Sequence, residues 1–548
     1  MRRSVIAFGL DAADPVDIEA WTEAGYLPNI EAIRKNGMYG RMWNTVPLCG
    51  KEVECSSTEA CWVMAQTGRL PNQTGYWGPV KYAPETYRVR NSQLESGYDY
   101  EGFKPFYALG NAYKVCAFDV PVSNLHPDVN GIQITGWGGH FPFVHSRSQP
   151  EEVYNDIIAR YGENPVFLKD GGYFWDRNYR DWVQNAVRES LETRTEIATE
   201  LMHRDKWDLF LADFGETHTA GHDLYHLSHA DSPINPGPQK LLKDSPMLET
   251  FRQVDASIGQ ICAAAPKDSI KVLFSAHGMA ANYTDLTSFF FLAEFMYRYN
   301  FGKPAIAGRG RLGETLGRLI TDPPRNSWTT NLWLQKEVSN PVRRYLRRWT
   351  PGRFLTSNPE DDLFSPYELG GGQLAWMPAT WYSRSWPKMK AFAVPSFAEG
   401  YVRINLKGRE SKGIVEAKDY DAVLADIEDK LRLIRCGRTG KPVVKDVVRA
   451  RCSPHDSDRR APSADLMVVW EQHATDVVDS PHFGRIGPIP FRRPGGHTPR
   501  AFFAAAGGEI PSGSTFDDAR AVDIAPTILA MMGAAVPPEY DGKVIKPV

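Results

Sequence analysis

The chain has 548 residues, a formal net charge of −3, 42% hydrophobic and 24% charged residues, and seven cysteines. That length suits several domains or one large α/β domain with insertions. The balanced charge offers no global basic surface for nucleic acid, and no apolar run approaches the ~20 residues that span a bilayer. The cysteines, at 49, 55, 61, 116, 262, 436 and 452, are odd in number and scattered, with no Cys-x-x-Cys pair. Reduced thiols in a cytoplasmic protein are therefore expected.

Short apolar strands alternate with longer helical patterns over the first 290 residues, the texture of a parallel sheet covered by helices on both faces. Met1 to Asp11 reads as a first strand over Val5–Leu10, not a secretory signal. Further strands are predicted at Lys114–Phe118, Leu209–Ala212 and Lys271–Ser275, with helices over Asn178–His203 and Pro246–Ala265. Residues 291–389 change texture. They are rich in Arg, Trp, Pro and Gly, include the run Pro341-Val-Arg-Arg-Tyr-Leu-Arg-Arg-Trp349, and read as an inserted cap. Strand texture returns over Ala391–Leu406, followed by a helix over Asp419–Arg435. A last helix over Asp523–Gly533 has Pro in its first turn and Gly at its end. The division expected is a catalytic core of 1–290 and 390–548 around an insertion.

Chemistry-bearing residues collect where strands end, and in open α/β sheets ligands bind outside the carboxyl ends of strands. Asp11 closes the first strand. Glu216-Thr-His218-Thr-Ala-Gly-His222 follows the third, and in a helix the two histidines, four apart, lie on one face and can share an ion. Ser275-Ala-His277-Gly278 ends the fourth strand, and Gly495-Gly-His497 sits in a glycine-rich loop where backbone can approach an ion or phosphate closely. A fifth block, Thr58-Glu-Ala-Cys-Trp62, places a hydroxyl at a helix start, where the dipole favours an anion or a developing alkoxide. Ser56, Ser57 and Thr58 are equal candidates there, and a plain N-cap role fits each of them.

These blocks together resemble the alkaline phosphatase superfamily, in particular its type I phosphodiesterase and nucleotide pyrophosphatase branch. The likeness is carried by the strand ending in Asp11, the pattern Gly25-Tyr-Leu-Pro28-Asn29-Ile30, and the spacing of Trp62 and Thr67-Gly68-Arg69-Leu-Pro71. It extends to Phe118-Asp-Val-Pro121, Val129 to Gly136, Ile404 to Arg409, Asp523 to Leu529 and Asp541-Gly542. The resemblance implies an alkaline-phosphatase-like core, a nucleophile at Thr58, and two divalent ions, often zinc. Mapped residue by residue, it implies His222 and His497 as ligands of one ion and Asp11, Thr58 and His277 as ligands of the other.

Two positions depart from the branch. His218 stands where it has Asp, and Ala276 where it has a second Asp. Losing two carboxylates removes charge that would offset two cations. Glu216 is the first substitute ligand to consider, Asp213 and Glu59 the next, and a single tightly held ion is the alternative. Zinc is expected at the site, with manganese or iron possible given the extra imidazole. The function implied is metal-dependent hydrolysis of a small phosphate ester, of phosphodiester or pyrophosphate type, through a phospho-threonine on Thr58. A transferase using the same nucleophile, or a non-hydrolytic binding protein on the same scaffold, are the competing readings. A sulfatase is disfavoured, because Cys55-Ser-Ser-Thr-Glu lacks the Cys/Ser-x-Pro-x-Arg pattern.

Overall fold

The computed structural model describes residues 2–548 apart from 92–97, 99, 101, 139–144, 168, 170, 231, 236–244, 307–311, 321–326, 339–341, 343, 344, 347, 348, 351–353, 356, 358–361 and 370–373. Strand β1 (Val5–Leu10) is buried along its whole length, which is why it reads as an unbroken apolar run and not as an alternation. Helices α1 (Pro15–Glu23) and α2 (Pro28–Lys35) lead from it to β2 (Gly37–Trp43), and α3 (Thr58–Thr67) follows. Strands β3 (Gly110–Phe118), β4 (Val129–Thr135) and β5 (Arg147–Gln149) precede the long helix α4 (Arg177–Arg204). Then come β6 (Leu209–Phe214), α5 (Glu216–Ser228), α6 (Pro246–Ala264), β7 (Ile270–Ser275) and the short β8 (Gly278–Ala281).

Eight strands form one sheet in the order β2-β14-β7-β1-β6-β3-β4-β5, where β14 is Arg500–Ala506 near the C-terminus. The inner run β7-β1-β6-β3-β4 is parallel, and β2, β14 and β5 pair antiparallel at its flanks. Alternate residues of β1 serve opposite faces. Val5 and Ala7 join a core with Trp62 and Ile528, whereas Ile6, Phe8 and Leu10 join one with Trp21, Leu191 and Phe251. Helix α3 and a C-terminal helix, α7 (Ile524–Met532), cover the first face, and α1, α2, α4, α5 and α6 the second. Pairing of neighbouring parallel strands brings Leu10, Phe214 and Phe118 to one edge, so the residues after them share a rim.

The C-terminal half contributes strands to more than one sheet. Strands β9 (Ala391–Val394), β10 (Gly400–Ile404), β11 (Val444–Arg449) and β12 (Leu466–Trp470) build a separate four-stranded antiparallel sheet. Among the strands after residue 390, only β14 joins the large sheet, while β13 (Gly495–Thr498) pairs with β8. The alternating residues that mark an antiparallel strand carry no information about which sheet it enters. The inserted region supplies a helix over Leu292–Phe301, and Trp333, Trp381 and Trp386 are fully buried around it. Of the basic–aromatic run, Pro341, Arg343, Arg344, Arg347 and Arg348 lie outside the described residues, and Val342, Tyr345, Leu346 and Trp349 are exposed.

The expectation of seven reduced thiols is corrected. Cys49 and Cys452, 403 residues apart, form a disulfide, and both are exposed. The other five remain thiols. Sequence spacing could not show the pair because only the fold brings the hairpin turn at Cys49 beside the loop after β11. Thiol titration of the denatured, unreduced protein should therefore count five groups and, after reduction, seven; seven without reduction would refute the bridge.

Candidate functional site

Asp11 follows β1 and is wholly buried. Its Oδ1 accepts a hydrogen bond from the Trp62 indole nitrogen of α3 at 2.7 Å, and Oδ2 lies 2.8 Å from His218 Nδ1. Burial alone would raise this carboxyl, but the His218 charge and hydrogen bond, with His277 after it, hold it far below the carboxylate range. Asp11 is thus an anion that orients His218. The close passage of Trp62 needs a glycine underneath: a Cβ on Gly9 would stand 2.7 Å from the Trp62 ring.

Helix α5 begins directly after β6 and projects His218 and His222 from one face, one turn apart. His222 Nδ1 lies 2.9 Å from the Gly495 carbonyl oxygen. That approach is possible because a Cβ on Gly495 would come within 2.1 Å of the Gly221 carbonyl oxygen, and one on Gly221 within 2.8 Å of Met279. The ribbon of β8 and β13, with Met279 opposite His497, sets the third imidazole over the helix. The Nε2 atoms of the three rings then converge. His218 to His222 is 2.8 Å, His218 to His497 2.8 Å, and His222 to His497 3.0 Å.

This triangle has a definite chemistry. With Nδ1 of His218 facing a carboxylate and Nδ1 of His222 a carbonyl, the Nε2 atoms of both rings are turned toward the third imidazole. Lone pairs facing one another repel, and a cation among them turns repulsion into ligation. Acceptors held behind the rings are the usual way of fixing imidazoles as metal ligands. Three buried histidines are a fitting donor set for zinc and related divalent ions.

Thr58 is the first residue of α3, and its Oγ1 lies 3.2 Å from His497 Nδ1 and 3.3 Å from Nε2. The neighbouring hydroxyls point elsewhere. Ser56 donates to Glu399 at 2.9 Å and Ser57 to Glu59 at 2.8 Å. Of the three candidates, Thr58 alone faces the histidines. His277 Nε2 stands 3.2 Å from Asp11 Oδ1 without the alignment of a hydrogen bond, and it has no hydrogen-bond partner among the described residues. Ala276 offers only its carbonyl, which accepts from Asn44 at 2.7 Å.

Glu216 is drawn away from the place expected for it. Its Oε1 accepts from Ser190 Oγ at 2.5 Å and from Arg194 Nε at 2.8 Å, and it is not among the converging ligands. Glu59 is likewise engaged, by Ser57. Asp213 lies beside Gly9 at the end of β6, fully buried, with Oδ1 lacking a hydrogen-bond partner among the described residues. Burial, and after it the charge of Asp11, push its carboxyl well above the ordinary range. Sequence reasoning missed Arg194, which is wholly buried in α4 and joins Glu216 to Asp119 at 2.9 Å. A signal existed: Leu191, Arg194, Ala198 and Leu201 share one stripe of the helix, so the arginine stands in an apolar row.

The sequence model described as type I phosphodiesterase / nucleotide pyrophosphatase matches residues 5–307, more than half of the 548. The chain belongs to this family. The phosphodiesterase family consists of phosphoric ester hydrolases, and this member is an enzyme of that class. Among solved structures, a mutant of the alkaline phosphatase PafA is similar at 11% identity, with 99% of this chain and 98% of that one covered and a TM-score of 0.52. At that identity the likeness shows the shared fold. Murine ectonucleotide pyrophosphatase / phosphodiesterase 5 aligns at 11% identity over 99% of this chain and 100% of that one, TM-score 0.48. Phosphonoacetate hydrolase from Sinorhizobium meliloti 1021 aligns at 12% over 98% and 96%, TM-score 0.43. No curated protein matches the sequence significantly.

Arg194 ties the start of α5 to the rim of the sheet, and removing it would leave two buried carboxylates without their counter-charge. Arg194→Leu should lower unfolding free energy by about 3–5 kcal/mol in chemical denaturation; a loss below about 1 kcal/mol would show that the cluster is not structurally important.

Proposed function

We propose that this phosphodiesterase-family enzyme cleaves phosphate esters of diester or pyrophosphate type through a covalent phospho-threonine on Thr58, beside a divalent ion held by His218, His222 and His497. The observation that carries this reading is the convergence of three Nε2 atoms within 3.0 Å, with the Thr58 hydroxyl on their rim. A zinc, manganese or iron ion there would supply Lewis acidity toward the transferring group.

The chain's own residues do the rest. Thr58 stands at the N-terminus of a ten-residue helix, where unpaired N–H groups and the dipole favour the phosphoryl anion. His497 presents its ring edge to Thr58 Oγ1 and fixes that oxygen beside the triad. The oxygen forms the new bond to phosphorus as the bond to the organic group breaks, the hydroxyl proton leaving with that group as the alcohol; water then adds to phosphorus, breaks the bond to Thr58 and returns a proton to the hydroxyl. Asp11 holds the His218 ring in its ligating orientation through Nδ1.

The same contacts favour one tightly held ion over two. Asp11 spends its oxygens on Trp62 and His218, Ala276 has no donor side chain, and Glu216 is committed to Arg194 and Ser190. Metal analysis of the purified protein should give about one ion per chain, retained in Glu216→Gln and lost in His222→Ala. Two ions, with one lost in Glu216→Gln, would overturn the single-site assignment. Thr58→Ala should abolish release of p-nitrophenol from bis(p-nitrophenyl) phosphate while keeping the fold and metal content; near-normal turnover would sink the nucleophile assignment. Silence of the native, metal-loaded protein on mono- and diesters alike would favour the binding role that Ala276 suggests.

A further inference from the structure

The inserted region carries apolar side chains that the fold leaves uncovered. Val342, Tyr345, Leu346, Trp349 and Phe354 lie close together in the chain, and each is between 56% and 68% exposed. The other exposed large hydrophobics among the described residues, such as Val16, Trp43 and Tyr173, are scattered singly along the chain, which is ordinary. A concentration of them in one short run is not. The first four repeat at i, i+3, i+4 and i+7, the spacing of an apolar stripe on an amphipathic helix, and Val342, Tyr345 and Leu346 are helical. Such a stripe ordinarily turns toward a core; this one meets solvent.

The run is fastened on both sides. Before it, Trp333 is fully buried, and the Glu337 N–H donates to the Ala305 carbonyl at 2.9 Å. After it, Leu355 is buried, and its carbonyl accepts from the Trp333 indole at 3.1 Å and from Ser365 Oγ at 2.6 Å. The uncovered apolar residues therefore stand on a packed base.

Charge singles out the same stretch. Residues 338–359 include Arg343, Arg344, Arg347, Arg348 and Arg353 and contain no aspartate or glutamate, in a chain whose net charge is −3. Four of these arginines occupy the positions of the sequence that the helical period leaves between the apolar ones. An apolar stripe alternating with an arginine set, with Trp and Tyr among the apolar members, is the composition of a segment that lies in a bilayer interface.

We propose that the 342–354 run is an attachment surface for an anionic phospholipid bilayer. The apolar stripe enters the boundary between headgroups and acyl chains, and the arginines meet the lipid phosphates. No helix among the described residues is long and apolar enough to cross a membrane, so the contact is with one surface of the bilayer. Nucleic acid accounts for the arginines and the two aromatic rings, but Val342 and Leu346 offer no ring on which a base can stack. An acyl phase covers all four residues of the stripe.

The test is co-sedimentation of the 548-residue chain with lipid vesicles. Vesicles of equal parts phosphatidylglycerol and phosphatidylcholine should be bound roughly tenfold or more tighter than vesicles of phosphatidylcholine alone, and added salt should weaken that binding. Leu346→Ser combined with Trp349→Ser should lower binding to the anionic vesicles roughly tenfold, and so should Arg343→Gln combined with Arg347→Gln. Each pair is read with its thermal midpoint matching the native one, and Trp349→Ser or Arg347→Gln alone replaces a pair that fails to fold. No binding to either vesicle, equal binding to both, or full binding retained in either pair overturns the proposal. A preference for a single-stranded oligonucleotide over anionic vesicles would also overturn it and assign the run to nucleic acid. A dimer dispersed by Trp349→Ser, without vesicle binding, would overturn it in favour of a second copy of the chain.

Discussion

Three imidazole nitrogens within 3.0 Å of one another are a costly arrangement, and much of the surrounding structure serves to hold it. The rings arrive from two directions. Two ride on a helix that starts at the carboxyl end of β6, and the third lies on a ribbon that folds back from the C-terminal part of the chain. Behind His218 stands a carboxylate, and behind His222 a carbonyl that reaches it because Gly221 and Gly495 let two backbones nearly touch. The rigidity of the parallel sheet beneath keeps the supports in register.

Charge explains why this site differs from the pattern its family resemblance implies. Substituting His218 for an aspartate and Ala276 for another leaves Asp11 as the negative group in direct contact with the imidazoles. A set dominated by neutral donors offers less compensation to a second cation than a carboxylate-rich set. The remaining buried acids have other duties. Glu216 and Asp119 neutralise Arg194, and burial beside Asp11 pushes the Asp213 carboxyl upward. Arg194 also shows how a structural ion pair and a functional helix are joined: the same glutamate that closes the pair begins the helix that carries His218 and His222.

The parallel core was legible because its strands are buried on both faces and therefore appear as short continuous apolar runs, each ending in a polar residue. Asp11, His218, His222, His277 and His497 could be singled out for that reason, since Asp11 and His277 come just after strands and His218 and His222 lie on the helix that follows one. Glu216 reads as a ligand in one dimension because it lies two residues from a histidine; Arg194, which engages its Oε1, lies 22 residues upstream and on another helix. The second sheet and the Cys49–Cys452 bridge were hidden for a related reason. Both depend on which distant segments meet, and neither alternation nor spacing records that.

Local patterning by itself determined the alternation of strands and helices, the residues able to ligate or attack, and their places at the ends of elements, because periodicity and turn chemistry act over a few residues. Tertiary structure alone decided which of those residues share a point in space. It brought Thr58 to the histidines while giving Ser56 and Ser57 other partners, and it turned Glu216 toward a buried arginine. Those outcomes rest on distances across the packed core, which arise only when the whole sheet and its coverings have formed.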